Sequence, residues 1–143
     1  MAQIAAGCLV TREGADGIEV LLVHARRASF RHPLFGIPKG LVEENESLEA
    51  AALRETREET GLCVHIRRPL GSVRQKSGKI VHAFWATVAP ESRAAVDDQG
   101  KCATPDAEND VCRFYGITKA RGLMIPAQRD FLDRLEAVMR AGY

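Results

Sequence analysis

An α+β fold is predicted by three observations. Apolar, strand-like runs on both sides of a Gly- and Asp-rich turn open the chain as a β-hairpin. The segment from Ser47 to Thr60 carries helix start and stop signals. Further strand-like runs follow it, ahead of a last segment with an apolar stripe at helical spacing. The 143 residues suit one domain, 1–143. A chain of this length buries about two-thirds of its unfolded surface, so it can build a core.

Taken in order, Ile4 to Thr11 reads as a strand, Arg12 to Gly17 as the turn and Ile18 to Ala25 as the second strand. Arg26 to Phe35 reads as a loop carrying Arg26, Arg27, Arg31 and His32. Gly36-Ile37-Pro38-Lys39-Gly40 is excluded from helix by Pro38 and the flanking glycines. From Ser47 to Thr60 a helix is predicted. Ser47 can cap the first free N–H groups, Glu49 suits the first turn, and Gly61 fits the position just past the end. Two strands are expected near Leu70 to Gln75 and Lys79 to Val88, joined by a tight turn at Ser77-Gly78. Pro90 to Asp110 reads as a long polar loop and Val111 to Ile117 as a short strand. Pro126 is placed to open a final helix, whose Phe131, Leu132, Leu135, Val138 and Met139 form one stripe expected to pack on the sheet.

Composition narrows the classes of function. Twenty Lys and Arg against nineteen Asp and Glu leave a net charge of +1, which argues against a general nucleic-acid or membrane-surface binder. No apolar run approaches the ~20 residues of a membrane helix. Met1 to Val10 lacks a basic start and runs into Thr11, Arg12 and Glu13, so it reads as strand and not as a signal peptide. Cys8, Cys63, Cys102 and Cys112 form no C-x-x-C, and no histidine pair sits at zinc spacing. Reduced thiols and a cytoplasmic location are expected, with Cys8 and Cys63 in the core.

The helix carries the chemistry. At roughly 100° per residue, Leu48, Ala51, Ala52, Glu55, Glu58, Glu59 and Leu62 fall within one arc of about 120°. Glu49, Arg54, Thr56, Arg57 and Thr60 fall opposite. Three glutamates therefore occupy the face expected to be buried, where unpaired like charges are costly. One compensation is a salt-bridge network, with Arg54 four residues before Glu58. The other is a divalent metal, Mg²⁺ or Mn²⁺, for which all-oxygen ligands at i, i+3 and i+4 are suited. The metal is the preferred reading, because the arginines are few and mostly lie on the far side of the wheel. The Gly-rich segment ahead of the helix can offer backbone groups to a phosphate or a metal, and Lys39 adds a cation.

These residues carry a family resemblance. Gly40-x5-Glu46-x7-Arg54-Glu55-Thr56-x-Glu58-Glu59-x-Gly61-Leu62 resembles the Nudix box, G-x5-E-x7-R-E-U-x-E-E-x-G-U, of the MutT-like Nudix hydrolases. All seven fixed positions match, at a chance on the order of 10⁻⁸ to 10⁻⁹ from average residue usage. Thr56 stands where a larger aliphatic is usual. Phe35-Gly36-Ile37-Pro38-Lys39-Gly40 resembles the W-x-x-P-K-G opening of dinucleoside-polyphosphate hydrolases and related NTP pyrophosphohydrolases, with Phe35 in place of Trp. The stretch Leu70 to Lys79, Ala120-Arg121 and the segment Gln128 to Leu135 resemble the second group.

The resemblance implies an α/β/α sandwich around a mixed sheet. It also implies metal-dependent hydrolysis of nucleoside diphosphates linked to another group. Carried over by position, Glu58 and Glu59 correspond to metal ligands, Glu55 to a ligand or the base, and the Gly40 carbonyl to a further ligand. Arg54 corresponds to the residue that orients a catalytic glutamate, Glu46 to the one that ties the loop to the helix, and Gly61 to a structural position of the motif. A further carboxylate often comes from a distant loop. Glu108, six residues before Phe114, is the candidate, with Asp97, Asp98, Asp106 and Asp110 as competitors.

The substrate is less closely implied. Lys39, Arg31, Arg74 and Lys79 are candidates for binding a polyphosphate, with Arg26, Arg27 and Lys76 near them. Phe35, Phe84, Trp85 and Tyr115 are candidates for stacking on a base, Trp85 reading better as core. The Pro-Lys-Gly opening favours dinucleoside polyphosphates such as diadenosine tetraphosphate. Nucleoside triphosphates, nucleotide sugars and diphosphoinositol phosphates stay open, as do a silent nucleotide sensor and a homodimer. An intact box argues against the sensor. A net charge of +1 argues against removal of messenger caps.

Overall fold

Strand β1, Ile4–Gly14, organises the sheet. The computed structural model describes residues 2–25, 34–102 and 109–142. Along one side β1 pairs in parallel with β5, Ile80–Val88, from Ile4 opposite Ile80 to Thr11 opposite Thr87. Its other side is shared between two partners. The C-terminal half pairs with β2, Gly17–Ala25, and the N-terminal half with β3, Lys39–Leu41. With β4, Val64–Arg74, outside β5 and β6, Asn109–Gly116, outside β2, the sheet runs β4-β5-β1-β2-β6. One parallel pair among antiparallel ones makes it the mixed sheet the resemblance implied.

The sheet is covered on both faces. Helix α1, Leu48–Thr60, packs against Cys8, Val10, Leu21 and Phe84. Helices α2, Ile117–Leu123, and α3, Arg129–Arg140, cover Leu9, Leu22, Val81 and Trp85 on the other face. Phe131, Leu132 and Leu135 are buried there, with Val138 and Met139 partly so, as the apolar stripe of the last helix predicts. Each such side chain taken from water contributes about 1.5–3 kcal/mol, which makes the two faces the main source of stability. No helix among the described residues is long and apolar enough to cross a membrane.

Several boundaries differ from the sequence reading, each for a local reason. The opening strands run further than expected and turn over Ala15 and Asp16 alone, because Arg12 opposite Glu19 makes a 2.8 Å ion pair across them. Strand β4 begins at Val64, not near Leu70, and includes Pro69. It is an edge strand whose register shifts between Pro69 and Ser72, where proline's missing N–H costs no ladder bond. The stretch expected as a polar loop from Pro90 contains a 3₁₀ turn at Pro90–Ala95. It then pairs with β6, the Cys102 N–H donating to Cys112 O at 3.1 Å and the Phe114 N–H to Gly100 O at 2.8 Å. Helix α2 was not foreseen. It has no side-chain cap and contains Gly122, so no local signal marks it. Pro126 opens a 3₁₀ turn, Pro126–Gln128, which leads into α3. Cys8 is fully buried, and burial pushes its thiol up to about 11. Cys63 is only half-buried.

Candidate functional site

The site lies at the end of the sheet where β3 replaces β2 as the neighbour of β1. Strand β3 comes very close to β1 there. A Cβ at Gly7 would overlap Pro38 O and Lys39, so only glycine fits opposite them. The Gly7 position in turn sets where Lys39 and Gly40 lie. The segment before them is tied down twice. Gly36 exchanges both backbone hydrogen bonds with Val23, at 2.8 and 3.0 Å. The Ile37 N–H donates to Oε1 of the fully buried Gln128, at 2.9 Å. Sequence reading had Gln128 only as part of a resembling segment. Its signal as a clamp is a polar residue at the start of an apolar helical stripe.

Helix α1 supplies the carboxylates. Ser47 Oγ accepts the Ala50 N–H at 3.1 Å, and Gly61 closes the helix with φ of 75°, as predicted. The buried face is turned from the one the wheel gave. Ala51, Ala52, Thr56, Glu59 and Thr60 are buried, while Glu58 keeps 57% of its side-chain surface exposed. Leu62 biased the wheel: it follows the left-handed Gly61 and is not on the helix. Thr60 can be buried because its Oγ1 donates to the Thr56 backbone O at 2.6 Å and accepts the Leu62 N–H at 3.1 Å.

Arg54 is also misplaced by the wheel. It does not point away from the carboxylates but reaches around the helix to gather them. Its Nε and Nη2 bind Glu46 at 2.7 and 2.9 Å, and its Nη1 binds Glu55 at 2.7 Å and Glu58 at 3.4 Å. It also donates to Leu41 O at 3.2 Å and lies 3.8 Å from Glu43, which sequence reading missed. The Arg54 guanidinium and the Glu43 N–H hold the Glu46 carboxyl down to about 2, and these carboxylates push Arg54 upward. Of the two compensations weighed from the sequence, the salt-bridge network is the one built among these side chains.

The carboxylates meet the backbone at Gly40 and Lys39. A Cβ on Gly40 would overlap the Glu55 carboxylate, so that group lies directly on bare backbone. Glu59, 8% exposed, accepts the Lys39 N–H at 3.2 Å. The Lys39 ammonium is lowered by burial and by the nearby charge of Lys79, against the opposing pull of Glu59 and Glu55. The Lys39 ammonium therefore feels the positive charge of Lys79 as well as the negative charge of Glu59 and Glu55. Arg74 instead donates to Gly78 O at 3.3 Å and braces its own hairpin.

The remaining candidates divide. Phe35 and Tyr115 meet edge to face at 5.7 Å, and His24 lies 4.9 Å from Phe35 while bonding Asp110 at 2.7 Å. His24 was not singled out from sequence. Phe84 and Trp85 are core residues. Asp97 accepts the N–H groups of Gln99 and Lys101, which assigns it to its own turn. Arg31, Glu108 and Asp106 lie outside the described residues. Among the described residues, no three His, Cys, Asp or Glu side chains are gathered closely enough to hold an ion as they stand. The donor set of Glu55, Glu58, Glu59 and the adjoining Gly40 backbone is all oxygen, which fits a hard divalent cation and not a soft one.

Comparison with known proteins agrees with this architecture. The NUDIX domain model matches residues 1–135. Nudix hydrolase 4 of Arabidopsis thaliana is 45% identical over 111 residues, 72% of this chain and 52% of that protein. The NAD-capped RNA hydrolase NudC of Mycobacterium tuberculosis is 45% identical over 65 residues, 46% of this chain and 19% of its own. The chain spans about a third to a half of the length of the first curated relatives it matches. Among solved structures, a binary complex of the Caenorhabditis elegans Ap4A hydrolase superposes with a TM-score of 0.75 at 25% identity, covering 99% of this chain and all of that one. A box matched at every fixed position, the sandwich that presents it and the family model over nearly the whole chain agree: this chain belongs to the Nudix hydrolase family.

Proposed function

We propose that the chain hydrolyses a pyrophosphate bond in a nucleoside diphosphate linked to another group, in a reaction dependent on Mg²⁺ or Mn²⁺. Dinucleoside polyphosphates such as diadenosine tetraphosphate are the favoured class, followed by nucleoside triphosphates. The observation that carries this reading is the cluster of Glu55 and Glu59 laid against the Gly40 and Lys39 backbone, with the Lys39 ammonium feeling the charges of Lys79, Glu59 and Glu55. Positive charge beside this cluster can take a polyphosphate chain and hold it against the carboxylates. The likeness to an Ap4A hydrolase across both whole chains supports the same class.

In this reading Glu55, Glu58, Glu59 and the Gly40 carbonyl would hold the metal. When bound, such an ion neutralises phosphate charge and lowers the pKa of the attacking water. Arg54 orients Glu55, and Glu46 fixes Arg54 in turn. Lys39 and Lys79 hold the phosphate chain against the carboxylates.

The test is a hydrolysis panel of diadenosine polyphosphates, nucleoside triphosphates, nucleotide sugars and a diphosphoinositol phosphate with Mg²⁺, products being resolved by chromatography. Turnover of one class, lost in Glu59→Gln, is expected, and the product pair identifies the bond broken. Tight nucleotide binding without turnover would replace catalysis with a sensor role.

A further inference from the structure

A cavity of about 890 Å³ opens at the other end of the sheet, where β1 and β5 finish. It is lined by Thr11 and Arg12, whereas the box meets β1 at Ala6, opposite Gly40. Six residues of strand put about 20 Å between them. The cavity is not an extension of the box, and its volume suits a small organic ligand.

Its lining combines two kinds of surface. Trp85 and Met139 form an apolar wall. The Trp85 Nε1–H donates to Thr11 Oγ1 at 2.8 Å, so the indole is held in place without a ligand. The lining also carries guanidinium groups. Arg12 is neutralised by Glu19 and lies over the Phe114 ring. Arg67 and Arg93 have no carboxylate partner among the described residues; Arg67 donates only to Thr87 Oγ1, at 3.0 Å. Arg67 also sits where β4 bulges. Ile66 pairs with Ala86 and Arg68 with Trp85, so Arg67 is the extra residue. A bulge re-aims its side chain, here to the rim of the cavity. Glu13 is the one carboxylate in the lining, and it is exposed.

We propose that this cavity is a second ligand site, separate from the box, for a phosphomonoester with a flat aromatic body, the class to which nucleoside monophosphates belong. Two guanidinium groups without a carboxylate partner among the described residues match a phosphate dianion in charge, each can bond it through parallel N–H donors, and the Trp85–Met139 wall takes the ring.

The chain's single tryptophan makes the site directly readable. The probe is adenosine 5′-monophosphate, titrated into the full chain with EDTA present, with Trp85 excited at the red edge where adenine does not absorb. A saturable change with a sub-millimolar dissociation constant is expected. The double variant Arg67→Gln/Arg93→Gln should weaken it about tenfold or more. Adenosine alone and inorganic phosphate alone should each bind more weakly than the probe. As a second readout, the Met139 methyl resonance should shift while that of Met124, buried under α2, stays in place. No saturable change up to about 10 mM would overturn the proposal. So would binding as tight in the double variant as in the parent, adenosine binding as tightly as the probe, or an equal loss of binding in Lys39→Gln, which would put the probe in the box. EDTA excludes turnover, so the outcome does not depend on the activity proposed above.

Discussion

The two ends of β1 have similar neighbours in the sheet and opposite chemistry beside them. At the N-terminal end, β3 presses against β1 and carboxylates from α1 are crowded onto bare backbone, with Arg54, Lys39 and Lys79 supplying positive charge. At the C-terminal end the strands close in a tight hairpin, and Arg67 and Arg93 face a cavity with little negative charge near them. The first end is densely bonded and held in one arrangement. The second is open and underneutralised. Close packing with side chains held by several bonds at once positions groups to within what catalysis needs, whereas open space beside uncompensated charge suits reversible binding.

The contrast predicts unequal responses to substitution. The largest is expected for Glu59→Gln. Even residues that only support metal ligands cost 10–100-fold, so this loss should be about a hundredfold or more in kcat. The variant should fold normally, since Gln keeps an oxygen for the Lys39 N–H, and its melting temperature without metal should equal or exceed the parent's. Normal turnover in a folded Glu59→Gln would remove that residue from the reaction. Next comes Gly40→Ala, which forces a methyl into the Glu55 carboxylate. A destabilisation of about 1–3 kcal/mol is expected from such overpacking, along with loss of activity, read by denaturant melts and assay together.

Arg54→Met should lower activity about 10–100-fold while costing only about 1 kcal/mol of stability, because the ion pairs are partly exposed. Arg54→Lys should recover little, since an ammonium cannot bind Glu46 with two parallel donors and reach Glu55 as well. A smaller effect is expected in acid. Glu46 titrates near 2 when folded, against an ordinary value of 4.5. Its contribution to stability is therefore complete above about pH 4.5 and is lost as the pH falls towards 2. Glu46→Gln should flatten the stability profile in that window, which urea melts across the range would show. The smallest effect belongs to the far end: Arg67→Gln/Arg93→Gln should leave turnover within about twofold of the parent. A larger fall would mean that the two ends are coupled by more than about 0.4 kcal/mol.

Motif and cap signals survived folding because they are local. Ser47 and Gly61 bracket α1 through contacts within a few residues, and the stripe from Phe131 to Leu135 meets the sheet whichever strands compose it. The box is likewise a string of neighbours, so its residues were all named in advance. The rotation of α1 was not readable. Whether Thr56 or Glu58 is buried depends on how the helix settles on Cys8 and Phe84, which come from distant parts of the chain. Arg54 shows the limit of a wheel: it records where a Cβ points, and a guanidinium on a long stem can reach groups on the other side.

Residue order alone specified a box with its caps, glycines and carboxylates, because each of those depends on backbone conformation or spacing over a turn or two. Tertiary packing specified which charges meet. Insertion of Lys39–Leu41 beside the first half of β1 sets Lys39 against Glu59, and the β4–β5 hairpin brings Lys79 to it from forty residues away. The same packing leaves Arg67 and Arg93 together at the far end, from strand and turn positions with nothing in common in sequence. Electrostatic energy falls with distance in space and not with separation along the chain, so the compensation of these charges was settled only when the sheet closed.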